Sequence, residues 1–210
     1  MKKYDKNYYE KYAKIILSKI VDSHYSKLTH KDRPDLQDLE KNKYGVEVTR
    51  GISENEGNFY SFLNDNMGEG KDKEKLLSIA NKRKLDPWIS QGDGFTAYSI
   101  SHGLQDVNSY KKDTITYIEK KMIKLNKNYS LFNSNELFIF LNFSYNKRDI
   151  EEIIKKVNFE KYDKIFDKIY LLSYDTLFEY NRNKNSIEEY TISHEDLFQT
   201  KRLAQSPHSD

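Results

Sequence analysis

The spacing of apolar residues near the N-terminus predicts a helix followed by a hairpin. Apolar side chains recur at four-residue steps from Tyr8 to Ile20, which indicates an amphipathic helix over residues 5–22. A short apolar segment around Leu36 and the β-branched run 44–49 predict two strands, and the polar residues 40–43 between them are typical of a turn.

The C-terminal part of the chain alternates between strand and helix patterns. An apolar run, an amphipathic segment and a second apolar run follow one another at 136–143, 149–157 and 168–174, and predict a right-handed parallel crossover. The other elements predicted here are a helix over 111–125, strands over 176–180 and 187–192, and a helix over 194–203. We therefore expect an α/β (α+β) fold with a mixed central sheet flanked by helices.

Residues 51–94 have a less regular pattern and indicate an inserted segment. Helical pieces over 56–63 and 72–84 are interrupted by glycine and proline, and a short strand is predicted at 95–100. The length favours a single domain over residues 1–203 that carries this insertion, followed by a disordered tail at 204–210.

Composition narrows the range of functions. The 35 basic and 33 acidic residues nearly cancel, so a nucleic-acid site would have to be a local basic patch. The absence of cysteine excludes disulfides, thiol catalysis and cysteine-ligated zinc. No apolar run approaches the roughly 18 residues of a membrane span, and we expect a cytoplasmic protein without membrane partners.

One acidic residue interrupts the apolar strand 44–49. Because side chains alternate along a strand, Glu47 should face away from Val46 and Val48. An aspartate on the adjacent strand, Asp35, can meet it there. Two close carboxylates repel one another unless a cation neutralises them, and Mg²⁺ suits such a pair. Each residue also has a simpler interpretation: Asp35 forms a turn after Pro34, and Glu47 points to solvent.

Pro34-Asp35 and Glu47-Val48-Thr49 together resemble the motif of the PD-(D/E)XK nuclease superfamily, which has the restriction-endonuclease-like fold. The resemblance implies that Asp35, Glu47 and the Val48 carbonyl hold Mg²⁺, for which Mn²⁺ can substitute. It further implies a nuclease that hydrolyses phosphodiester bonds with a metal-activated water, with DNA as the favoured substrate and a homodimer as one possible assembly.

The motif departs from the family at its last position. Thr49 stands where the family has a lysine, and members of the family can carry that lysine on the following helix. Lys121, at the edge of the apolar stripe of the helix 111–125, is the preferred replacement, and Lys111 is the alternative. Glu10 on the first helix matches a further acid of the family. Without a replacement lysine, the chain would be a degenerate nuclease that binds nucleic acid or a protein partner without cutting.

Overall fold

The computed structural model describes residues 7–51, 74, 77–78, 87–92, 95–100, 107–141 and 143–205. The chain forms two compact units, one made of residues 4–51 and 110–210 and the other of residues 1–3 and 52–109. The second unit therefore extends past residue 94, where the sequence pattern placed the end of the insertion.

The larger unit contains a seven-stranded mixed sheet, and the smaller unit a two-stranded sheet. The strands are β1 (Thr29–His30), β2 (Leu36–Gln37), β3 (Tyr44–Gly51), β4 (Pro87–Gly92), β5 (Phe95–Ile100), β6 (Ser134–Leu141), β7 (Lys168–Ser173), β8 (Thr176–Asn181) and β9 (Ser186–Thr191). The large sheet has the order β1-β2-β3-β6-β7-β8-β9; β3, β6 and β7 run parallel, and every other neighbouring pair in it is antiparallel. The predicted mixed sheet flanked by helices is confirmed.

Four α-helices lie among the described residues. They are α1 (Tyr8–Ile16), α2 (Val107–Asn128), α3 (Lys147–Lys156) and α4 (His194–Gln205). A π-helical turn (Leu17–Val21) prolongs α1 and a 3₁₀ turn (Ser23–Lys27) follows it, so the predicted helix 5–22 is confirmed in its main part. At the start of α3, Asn146 and Asp149 form a reciprocal capping box, which satisfies two amides left unpaired by the helix. None of the helices described here has the length and apolar character needed to cross a membrane.

The large sheet has a separate hydrophobic core on each face. Leu137 and Ile139 of β6 pack with apolar residues of α2 and α3, whereas the intervening Phe138 packs with α1 on the other face. Val46 and Val48 of β3 belong to the α1 face. Glu47, between them, consequently faces the side of the sheet that α2 covers.

The small sheet is a hairpin whose second strand, β5, confirms the strand predicted at 95–100, whereas its first strand, β4, was not predicted. Strand β4 pairs with β5 from Pro87↔Ile100 to Gly92↔Phe95, although proline and glycine suggested breaks in this stretch. The dipeptide Asp93-Gly94 stands between the paired residues Gly92 and Phe95 in the sequence. Asp-Gly is typical of a two-residue hairpin turn, so it could have predicted this pairing. The helix expected at 56–63 lies outside the described residues; of the helix expected at 72–84, residues 74, 77 and 78 are described and are helical. Helix α4 continues to Gln205, past residue 204 where the tail was expected, and residues 206–210 lie outside the described residues.

Candidate functional site

The hairpin formed by β2 and β3 brings the two motif acids together. Leu36 pairs with Val46 in antiparallel register, so Asp35, the residue directly before β2, comes beside Glu47. Asp35 therefore precedes its strand instead of lying within it. Glu47 is only 5% exposed. A buried carboxylate of this kind needs polar partners, which excludes the interpretation that Glu47 points to solvent.

Asp35 is held in place by the backbone of β3. The amide of Val48 donates a hydrogen bond of 2.7 Å to Oδ2 of Asp35. Burial, followed by the nearby charge of Glu47, raises the pKa of Asp35 to about 7, although the Val48 amide and Lys121 act in the opposite direction. This carboxyl group is therefore about half protonated near neutral pH, and a cation beside it would stabilise its ionised form.

Lys121 of α2 reaches the acid pair, as the sequence pattern predicted. Its Nζ lies 2.5 Å from Oε1 of Glu47, and its side chain is 15% exposed. Ile118 and Met122 of this helix pack in the core. Lys121 lies at the edge of the same apolar stripe, on the side that faces β3. The ammonium group is thus placed by packing of the helix and not by the motif strand.

Lys111, the alternative, occupies a different part of the unit. Its Nζ lies 2.7 Å from Oδ1 of Asp149, in the first turn of α3, and 2.8 Å from Oε2 of Glu152, in the second turn. These contacts link two helices, and they raise the pKa of Lys111 through hydrogen bonds to both acids. Its charge is already matched by two carboxylates, so Lys111 is a structural residue.

The acid pair opens into a cavity of about 340 Å³. The residues that line it are Asp32, Arg33, Asp35, Glu47, Lys124 and Tyr129. Burial, followed by the neighbouring Glu47 carboxylate, raises the pKa of Tyr129. Sequence reasoning missed Tyr129, which follows the end of α2 and carries no recognisable pattern. Lys124 could have been found, because it lies one helical turn from Lys121.

The remaining motif residues lie around this cavity without lining it. Thr49 is half-buried and shares the face of β3 on which Glu47 lies. The amide and the carbonyl of one strand residue point to the same side, so the Val48 carbonyl lies on the side where its amide meets Asp35. Glu10 of α1 is half-buried, and its negative charge contributes to the raised pKa of Asp35.

The donor set is small for a metal site. Among the residues that the structure describes, no group of three or more histidine or acidic side chains could hold an ion. Asp35, Glu47 and the Val48 carbonyl are nevertheless three neighbouring oxygen donors. Such a set fits Mg²⁺, which is commonly bound through one or two carboxylates and keeps several waters. It lacks the histidine and cysteine ligands that Zn²⁺ sites usually contain.

The comparisons with known proteins identify no relative. No protein-family model matches the chain, and neither the curated proteins nor the solved structures contain a significant match. The family resemblance therefore stays an interpretation of the motif residues, and the function has to be argued from the site itself.

Proposed function

We propose that this protein is a Mg²⁺-dependent nuclease that hydrolyses phosphodiester bonds, with DNA as the favoured substrate. The observation that carries the proposal is that Asp35 and Glu47 meet at one cavity while Lys121, from a distant helix, contacts Glu47. Two carboxylates beside one ammonium group are the side chains that this chemistry needs, and here, unlike at Lys111, the two carboxylates line a cavity that a substrate can enter.

Each residue has a distinct role in the proposal. Asp35 and Glu47, with the Val48 carbonyl, would hold the ion, which supplies charge neutralisation of the phosphate and a nucleophilic water when bound. Lys121 would orient and stabilise the attacking water, because its ammonium is anchored on Glu47 at 2.5 Å. Arg33 and Lys124 at the cavity wall would contact substrate phosphates.

A non-cutting binding protein on the same fold is the second candidate. Two observations favour it: Thr49 replaces the motif lysine, and the described residues offer only two carboxylates to an ion at this site. In that case the cavity would bind nucleic acid or a protein partner, and the ion pair of Lys121 with Glu47 would be structural.

A nuclease assay separates the two candidates. The full chain is incubated with linear, circular and single-stranded DNA and with RNA, in Mg²⁺, in Mn²⁺ and in EDTA. The nuclease proposal expects metal-dependent cleavage of at least one substrate. Glu47→Gln should abolish that cleavage, whereas Glu160→Gln, an exposed acid elsewhere in the unit, should leave it unchanged. Absence of cleavage on all four substrates favours the binding protein.

A further inference from the structure

A second cavity, of about 300 Å³, lies on the α1 face of the large sheet. Its wall is mainly aromatic, and we call it the aromatic cleft; its principal residues are Tyr8, Tyr9, Tyr12, Phe140, Tyr174 and Lys201. The volume is at the lower end of the range for small-ligand sites, about 300–1,000 Å³. The cleft therefore has room for a single flat group with its attachments.

The rings of the cleft brace one another. Phe140 contacts Tyr9 with ring centroids 5.2 Å apart and contacts Tyr12 at 5.6 Å, both in edge-to-face arrangements. Edge-to-face pairs add attraction beyond simple burial and limit ring motion. The floor of the cleft is consequently a rigid aromatic surface.

Tyr174 adopts a backbone conformation that its side chain disfavours. It lies with Asp175 in the tight turn between the paired residues Ser173 and Thr176, and its φ is 51°. Glycine or asparagine is the usual residue at such a position. The ring of Tyr174 is 67% exposed and lines the cleft. The turn thus carries a large, exposed aromatic side chain at a position where the backbone conformation favours a residue such as glycine.

The charge at the cleft is positive. Lys201 of α4 is exposed and lines it, and the guanidinium of Arg50 lies 4.9 Å from the ring centre of Tyr9. None of the described residues that line the cleft is acidic. Aromatic rings combined with cationic side chains are the common features of sites that bind single-stranded nucleic acid, where bases stack and phosphates pair with cations.

We propose that the aromatic cleft stacks an unpaired base of single-stranded nucleic acid. The proposal rests on the proposed nuclease function and adds its substrate class, with the strand passing from the acid pair to the opposite face of the sheet. Arg50 follows Glu47 by three residues on β3, so the two side chains lie on opposite faces, roughly 10 Å apart along the strand. Helix α1 also joins the two places, because Glu10 acts on Asp35 while the adjacent Tyr9 lines the cleft.

Binding of a labelled oligonucleotide tests the proposal without any cleavage. Fluorescence anisotropy measures the affinity of the full chain for an oligothymidylate of about 12 nucleotides in EDTA. Tyr174→Gly should weaken binding by about tenfold, since one stacked base is lost. Tyr174→Phe should bind as the wild type does. Glycine suits the turn, so Tyr174→Gly should melt at the wild-type temperature or above it.

Two matched controls separate the cleft from general effects. Asn185→Gly makes the same backbone change at another turn residue with positive φ (47°), between β8 and β9, and should not alter affinity. Lys201→Gln should weaken binding several-fold, whereas Lys184→Gln, an exposed lysine in that same remote turn, should not. Oligouridylate in place of oligothymidylate shows whether the strand is RNA or DNA.

Three results would overturn the proposal: no binding of either oligonucleotide by the wild type, equal binding by Tyr174→Gly, or equal affinity for an abasic strand of the same length. The last result would leave charge as the only attraction. Failure of the nuclease proposal gives a different pair of results. A protein that stacks bases but never cuts shows weaker oligonucleotide binding in Tyr174→Gly, and it shows no metal-dependent cleavage.

Discussion

Two carboxyl groups of the large unit have pKa values raised to about 7, and their surroundings differ. Asp35 lies beside Glu47 and Lys121 at a cavity. Glu136 of β6 is 0% exposed, and it accepts hydrogen bonds from Tyr25 at 2.8 Å and from Ser134 at 2.9 Å. Burial is the largest cause of the raised pKa in both cases.

The difference lies in what each acid can reach. The hydroxyl groups of Tyr25 and Tyr170 lie 2.7 Å apart and enclose Glu136 within the core on the α1 face. Both acids have an ammonium group and a second acid nearby, which are Lys168 and Glu179 for Glu136, but only Asp35 has an open cavity beside it. A raised pKa alone therefore does not indicate catalysis; access for a substrate distinguishes a candidate site from a buried polar cluster.

The largest expected effect is on cleavage. Lys121→Met removes the ammonium group that contacts Glu47 and should lower the cleavage rate by at least about 100-fold, the typical effect of a positioned proton-transfer or water-orienting group. Lys120→Met, at the adjacent exposed lysine, should cut at the wild-type rate. Initial rates on a labelled substrate measure both. Wild-type turnover in Lys121→Met would remove this lysine from the mechanism.

Glu136, the buried acid, should affect the stability of the protein and not its cleavage activity. Its pKa of about 7 lies above the usual 4.5, so the native state retains a proton that the unfolded chain has released. Stability is full below the unfolded pKa, falls as the pH rises through this interval and stays lower above about 7. Glu136→Gln does not titrate, and it should therefore be more stable than the wild type at about pH 8, by up to about 3 kcal/mol.

Urea denaturation at about pH 4 and about pH 8 measures this difference, with the exposed Glu160→Gln as a control that should show none. At the lower pH the stability of Glu136→Gln should match that of the wild type. Equal stability of Glu136→Gln and the wild type at both pH values would mean that folding does not raise the pKa of Glu136.

Metal binding should distinguish Glu47, at the cavity, from the buried Glu136. A ligand at 100 times its dissociation constant stabilises the native state by about 2.7 kcal/mol, so Mg²⁺ or Mn²⁺ should raise the melting temperature of EDTA-treated protein. Glu47→Gln should lose most of this increase, and Glu136→Gln should keep it. Glu47→Gln also leaves Lys121 without its carboxylate partner, and this alone changes the melting temperature. The quantity to compare is therefore the increase in melting temperature that the metal causes within each protein. An equal increase in Glu47→Gln would exclude Glu47 as a ligand.

The smallest expected effect is a partial rescue. Thr49 lies on the same face of β3 as Glu47, two residues away, so Thr49→Lys in the Lys121→Met background should restore activity by about tenfold. Thr49→Met in the same background adds similar bulk without a charge and should restore nothing. If both changes restore activity equally, the ammonium group is not what the site lacks.

The sequence by itself determined the order of elements in the larger unit and the candidate acids. Apolar periodicity of two or of about four residues is a local property, and it predicted β3, β6, α2 and α3 close to their observed bounds. The same period of two placed Glu47 opposite Val46 and Val48. The edge of the apolar stripe on α2 was enough to select Lys121, because helical spacing fixes which side chains flank the buried face.

Only the tertiary structure decided which distant groups meet. The contact of Lys121 with Glu47 joins residues 74 positions apart, and it depends on how α2 packs over the sheet. Tyr129, Glu136 and the aromatic cleft carried no local signal, because their surroundings come from segments far apart in the chain. Burial and cavity shape are properties of packing, and a pattern along one chain segment does not contain them.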